Sequence, residues 1–261
     1  MMRVSIHTDL VAYQAAAGQL AATTLLAPGT ADAVCVVGGA GAWCERGRAL
    51  LTRGARAIVV DDPAPAGRDE IAGLREAAAL RGVPVVLDRP RLRPDVAADA
   101  ANARGDVALL SGDAFAAPNE QQGVARDLCG WLRVLGGGPV RIEHAAAGRA
   151  AVIVAGRSPA GVAVAASLTI TATTSARGTL EVVAIGASRV GVHVDEASGT
   201  ATIETESAAG RLSLPPRFER RQRVALRRAL DALEADEAPV DLRDLESDAC
   251  VSGAFAAAAS A

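Results

Sequence analysis

Residues 32–63 read DAVCVVGGAGAWCERGRALLTRGARAIVVDDP. Ala33–Val37 is a continuous apolar run that ends in Gly38-Gly39. Ala57–Val60 is a second such run and ends in Asp61-Asp62. Runs of this length without alternation suit strands covered on both faces, as in a parallel sheet. Between them Ala42–Arg53 has helical character, and Gly54 is well placed to end the helix in a left-handed conformation. The stretch is therefore a strand–helix–strand unit with a glycine-rich turn at its first strand end.

The same alternation extends to either side. Arg3–His7 reads as a short strand, and Asp9–Ala22 as a helix with Thr8 or Asp9 available as its cap. Downstream come a helix over Arg68–Arg81, a strand over Val83–Leu87, a helix over Asp95–Arg104 and a strand-like Val107–Leu110. Strands alternating with helices of this length predict a parallel α/β layer. Asn119–Leu135 has helical spacing and runs into Gly136-Gly137-Gly138. After Pro139 the pattern becomes a meander of mostly antiparallel strands, beginning near Val140 and ending near Leu214. Within it Ser167, Thr169, Thr171 and Thr173 share one face, and Leu168 and Ile170 the other. That small, uncharged polar face suits packing against a second sheet. Two helices close the chain, over Phe218–Glu234 and Asp241–Ala259.

Composition narrows the chemistry. The chain has 261 residues, net charge -3 and only 2% aromatic residues. A weakly acidic surface with few rings is unsuited to nucleic acid. All 27 basic residues are arginine, so Schiff-base chemistry on a lysine is excluded. Cys35, Cys44, Cys129 and Cys250 form no CxxC pair, and His7, His144 and His193 lie far apart. No metal site is expected. No apolar stretch approaches about 20 residues, so no membrane span is expected. MMRVSIHTDLVAYQ lacks the apolar core of a secretory signal, which makes the cytoplasm the expected location.

Three stretches resemble the Gfo/Idh/MocA oxidoreductases, in order and at matching spacing. Residues 32–63 resemble the second half of that family's Rossmann domain, RGVPVVLDRPRLRPD the strand and Arg-Phe-x-Pro-type segment that follow, and VARDLCGWLRVLGG the His-x-x-Asp helix. The resemblance spans about Thr30 to Ser252. It implies a truncated Rossmann-like α/β domain over residues 1–118. An α+β domain over residues 119–261 follows, a large open, mainly antiparallel sheet with helices on one face. The final helix is expected to return to the first domain.

The departures from that pattern set the functional expectations. The family's catalytic lysine falls on Asp62, its histidine on Val124 and the acid four residues earlier on Glu120; Asp127 is retained. IHTDLVAYQ resembles the unit after the family's glycine fingerprint, as though the chain opened one βαβ unit late. The resulting expectation is a non-catalytic relative, without catalytic residues or cofactor. It would serve as a subunit or stabilising partner without independent activity, pairing with a second copy or a catalytic homologue through the sheet face of Ser167, Thr169, Thr171 and Thr173. The alternative is an NAD(P)-dependent oxidoreductase of a sugar-like or cyclitol-like alcohol. In that case Gly39, Gly41 and Asp61, spaced like a dinucleotide fingerprint and its acidic partner, would hold the cofactor.

Overall fold

The computed structural model describes residues 4–20, 23–25, 29–172 and 178–259. The chain divides into two compact units, Met1–Arg89 with Phe218–Glu246, and Pro90–Arg217 with Ser247–Ala261.

The first unit is a five-stranded parallel sheet in the order β2-β1-β3-β4-β5. Its strands are β1 (Val4–His7), β2 (Thr23–Leu25), β3 (Ala33–Gly38), β4 (Ala57–Asp61) and β5 (Val85–Asp88). The apolar runs are buried as expected; Ala33, Val34, Cys35, Ile58, Val59 and Val60 are fully enclosed. Helices α2 (Trp43–Thr52) and α3 (Arg68–Ala79) are the crossovers after β3 and β4. On one sheet face Val4, Ile6, Val34, Val36, Val59 and Val86 form a core with residues of α1 (Val11–Ala17) and α6 (Arg221–Ala235). Tyr13, Ala16 and Ala17 of α1 and Ala225, Leu226 and Ala229 of α6 are the helical contribution to it. Burying a side chain the size of Leu226 contributes roughly 2 kcal/mol.

The strand order corrects the expected late start. A doubly wound sheet runs 3-2-1-4-5-6, so only its first strand lies between the second and the fourth. Here β1 pairs in parallel with both β2 and β3. It therefore holds the first-strand place, and the turn His7-Thr8-Asp9-Leu10 stands where the glycine fingerprint would. The shortening falls instead between β2 and β3, which only residues 26–32 separate.

The second unit is an eight-stranded sheet in the order β13-β12-β11-β10-β6-β9-β8-β7. Its strands are β6 (Val107–Ala116), β7 (Arg141–Ala147), β8 (Ala151–Arg157), β9 (Ala163–Ile170), β10 (Thr179–Gly186), β11 (Arg189–Asp195), β12 (Thr200–Ser207) and β13 (Gly210–Ser213). All neighbours are antiparallel except β6 and β9. The strand-like Val107–Leu110 is thus not part of the parallel layer; it begins the ten-residue β6 between β10 and β9. Helices α4 (Pro94–Ala103) and α5 (Gln121–Gly136) supply Val96, Leu128, Trp131, Leu132 and Leu135 to the core on one face. A Cβ on Gly112 of β6 would lie 2.9 Å from Leu128 Cδ1, so the glycine sets how closely α5 rests on the sheet. Gly137, left-handed at φ 75°, ends α5 as the glycine run predicts. Helix α7 spans Asp241–Ala259. Among the described residues no helix is long and apolar enough to cross a membrane.

Candidate functional site

Open parallel sheets bind ligands beyond the carboxyl ends of their strands, where the winding direction reverses. In the first unit that point is the gap between β1 and β3. One bank is the turn His7-Thr8-Asp9-Leu10, and the other is Gly38-Gly39-Ala40-Gly41-Ala42 ahead of α2.

The glycine bank is shaped by its own chain. Gly39 N donates to Asp61 O at 2.6 Å, and Ala64 N donates to Gly39 O at 2.9 Å. Trp43 Nε1 donates to Ala64 O at 3.0 Å, which fixes the start of α2. Arg46 Nη2 donates to the carbonyls of Gly38 and Ala40 at 2.6 and 2.5 Å and braces the turn from one helical turn on. Gly41 is left-handed at φ 56°. A Cβ on Gly38 would meet nothing within 4 Å, and one on Gly41 only Arg46 Nη1 at 4.0 Å. The backbone here is open to close approach. Across the gap, His7 Nδ1 is buried without a hydrogen-bond partner among the described residues. An orphaned buried nitrogen at this strand end suits a polar ligand. The residues present therefore fit a dinucleotide through the Gly38–Ala42 bank. The glycine-free His7–Leu10 bank lacks the usual close backbone approach to a pyrophosphate.

Asp61 and Asp62 diverge at the end of β4. Asp62 is exposed with left-handed φ 48°. Asp61 accepts from Arg221 Nη1 at 2.8 Å and from Tyr13 Oη at 3.2 Å. Tyr13 also donates to Asp88 Oδ2 at 2.6 Å. Burial, then Asp88 and Asp61, push the Tyr13 phenol far above its usual range, so it stays protonated. Composition gave no sign of this cluster, because its members lie 48, 75 and 160 positions apart.

In the second unit, Glu120, Val124 and Asp127 lie at the start of α5 and gather around Arg91. The Arg91 guanidinium reaches Glu120 Oε2 at 2.5 Å, Asp127 Oδ2 at 3.3 Å and Glu196 Oε2 at 2.8 Å. Asp127 is fully buried and also receives Arg126. Val124 is fully buried, and a Cβ on Gly178 would sit 2.5 Å from its Cγ2. Valine and glycine together fill the place where the family pattern puts a histidine.

Ser167 and Thr169 lie on the uncovered face of β9, and Thr171 just beyond its end; Thr173 lies outside the described residues. Ser167 Oγ donates to Asp113 Oδ1 at 2.5 Å across the β6–β9 pair. Cys35, Cys44 and Cys129 are buried and Cys250 is exposed. Burial pushes the Cys35 thiol up to about 11, and burial with Glu70 pushes Cys44 up to about 12, so neither is a thiolate at neutral pH. Among the described residues no group of three or more His, Cys, Asp or Glu could hold a metal ion. A cavity of about 270 Å³ lies at the opposite, amino edge of the parallel sheet, between Val83–Val85 and Ala232–Leu233.

No protein-family model matches the chain, and no curated protein matches its sequence. Solved structures match its fold. KijD10, a 3-ketoreductase from Actinomadura kijaniata in complex with NADP, is 13% identical with a TM-score of 0.66, over 98% of this chain and 97% of that one. A dehydrogenase from Chromobacterium violaceum is 15% identical with a TM-score of 0.68, over 100% and 96%. UDP-N-acetylglucosamine 3-dehydrogenase GnnA from Acidithiobacillus ferrooxidans is 12% identical with a TM-score of 0.69, over 99% and 98%. The chain has the two-part fold of the Gfo/Idh/MocA dehydrogenases, as the three motifs imply. Two expectations are corrected. The absence of a cofactor rested on a missing first unit, and the non-catalytic subunit on that together with Asp62 and Val124 at the lysine and histidine positions. Yet the structures sharing this fold almost end to end are reductases and dehydrogenases, one of them holding NADP, and β1 occupies the first-strand place.

Proposed function

We propose that the protein is an NAD(P)-dependent oxidoreductase acting on a sugar-like or cyclitol-like alcohol or the corresponding ketone. The observation that supports it most is the central place of β1, which leaves a reversal point facing an open glycine turn. A nicotinamide, when bound, supplies hydride donation or acceptance. This chain's part is to hold and orient. The amides of Ala40–Ala42 and the amino end of the ten-residue α2 favour phosphate oxygens. Arg46 adds positive charge and keeps the turn in shape. His7 Nδ1 offers a further hydrogen-bonding atom on the facing bank.

Calorimetric titration with NADPH and NADH tests the reading. At least one should bind with a dissociation constant in the micromolar range. Arg46→Ala should weaken it about tenfold, the worth of one charge-assisted hydrogen bond. Absence of binding by both nucleotides would remove the reading.

We further propose that the chain pairs with a second copy through the uncovered face of the eight-stranded sheet. Phe115 on β6, Ile153 on β8 and Ile185 on β10 are 49%, 58% and 40% exposed there, Phe115 opposite Thr169 and Ile153 opposite Ser167. Small residues around exposed apolar ones let two sheets approach to about 10 Å. Thr169→Arg with Thr171→Arg should halve the mass seen by light scattering while leaving the circular dichroism spectrum unchanged. An unchanged mass would rule out this face.

A further inference from the structure

Asp61 and Asp88 end β4 and β5 and stand opposite one another in the register. Side chains alternate along a strand, so both carboxyl groups share the face of Val59 and Val86, beneath α1 and α6. Tyr13, in the first turn of α1, donates to Asp88 Oδ2 at 2.6 Å and stands 3.2 Å from Asp61 Oδ1. Arg221, the first residue of α6, places Nη1 2.8 Å from the same two oxygens. One phenol and one guanidinium nitrogen therefore hold two carboxyl oxygens side by side. The next charged pair on this side, Arg228 with Asp241, is closed on itself and on Leu87 N.

The charges do not balance. Two carboxylates face one guanidinium and a neutral phenol, leaving one negative charge in excess. Burial raises the Asp88 carboxyl, and Asp61 adds to this; Arg221 and Tyr13 oppose it. Taking up one proton is the direct relief for such a pair. The two ends differ in access: the Asp61 side chain is 23% exposed and that of Asp88 3%. The cluster has a wet end and a dry end, at the strand ends where ligands of a parallel sheet bind.

We propose that Asp61 and Asp88 act as a one-proton acid–base pair, in which Asp61 exchanges the hydroxyl proton of the substrate and Asp88 shares it. Tyr13 and Arg221 are positioning residues. The proposal rests on the oxidoreductase reading above. In the oxidising direction the substrate carbon loses its hydrogen, with both electrons, to the oxidised nicotinamide. The O–H bond breaks, its proton passes to Asp61, and the C=O bond forms. The proton then leaves the pair to solvent through Asp61. Reduction runs the same steps backward, so no further co-reactant is needed. Neither family position, Asp62 nor Val124, has to supply an acid.

The protein alone allows the first test, by infrared difference titration of its carboxyl groups. Wild type should show one carboxyl losing its proton above the ordinary carboxylate range, and Asp61→Asn and Asp88→Asn should each abolish that transition. Tyr13→Phe keeps the ring in the core but removes a hydrogen bond to the ionised form. It should therefore move the transition upward by about one pH unit. A wild type with no such carboxyl, or a Tyr13→Phe titration unchanged from wild type, would overturn the pair. Stability gives a second reading with a definite sign. A carboxyl raised in the folded state contributes stability below its unfolded pKa, and that contribution is lost as pH rises through the folded value. Asp88→Asn should flatten this slope.

Kinetics separates the two proposals. NADPH oxidation is followed with a panel of keto-sugars and inosose ketones. Asp61→Asn should lower kcat by about 10²–10⁴-fold and remove one limb of its pH profile, while NADPH affinity stays unchanged. Normal turnover by Asp61→Asn would sink the acid–base role and leave the oxidoreductase reading standing. A wild type that binds neither nucleotide would remove that reading instead, and the infrared titration would still decide whether the pair holds a proton.

Discussion

Replacing Arg91 with methionine is expected to cost the sheet unit about 3–5 kcal/mol, because the change leaves buried carboxylates without their cation. Arg91 is 3% exposed and pairs with Glu120, Asp127 and Glu196. Glu120 is partly open to water and loses little. Asp127 is fully buried and still receives Arg126, and the Glu196 side chain is 16% exposed. Trp131 provides the signal, since its indole nitrogen donates to Arg91 O at 2.7 Å within the same core. Urea unfolding followed by tryptophan fluorescence at pH 7 measures the loss. A loss below about 1 kcal/mol at pH 7 would mean that water reaches this network, as it does at surface pairs.

Gly39→Ala is expected to cost about 3 kcal/mol and to weaken nucleotide binding in the same variant. A Cβ at this position would lie 2.2 Å from Asp62 O and 2.5 Å from Asp61 O. These are backbone atoms and cannot swing aside. The turns after β3 and β4 must separate, stretching the bonds Gly39 N–Asp61 O and Ala64 N–Gly39 O. Gly41→Ala is the control. Its φ of 56° costs an alanine about 1 kcal/mol, but the space around it is open. Chemical unfolding and NADPH titration of the two variants should show the larger loss in both measurements for Gly39. Equal losses would mean that left-handed geometry matters here and the close approach of the two turns does not.

Much of the architecture was legible because it is local. AVCVV, AIVV and VPVVL read as strands covered on both faces, and the structure buries them so. The helix ends at Gly54 and Gly137 follow from left-handed glycine, and both glycines have positive φ. Strand order is not local. The segment Val4–His7 carries no mark of its neighbours, and its turn lacks the glycines that would have named it a first strand. Val107–Leu110 resembles the strands before it, yet its partners are β9 and β10, more than fifty residues away. The acid cluster was hidden for the same reason. Asp61 is spaced like a ribose ligand, while Tyr13 lies within the helix read over Asp9–Ala22 and Arg221 within the one read over Phe218–Glu234. Only folding brings these three to Asp88.

The first unit is assembled from two separated pieces of chain, Met1–Arg89 and Phe218–Glu246. A ribosome makes about 5–20 residues per second, so roughly 7 to 26 seconds pass between Arg89 and Arg221 emerging. For that time the parallel sheet lacks α6. Val59 and Val86 stay partly uncovered, and Asp61 and Asp88 face each other without their arginine. A nascent chain in that state has reason to hold a proton on the pair, or to leave the carboxyl edge frayed, until α6 arrives. The half of the protein that is translated first is thus the half that is finished late.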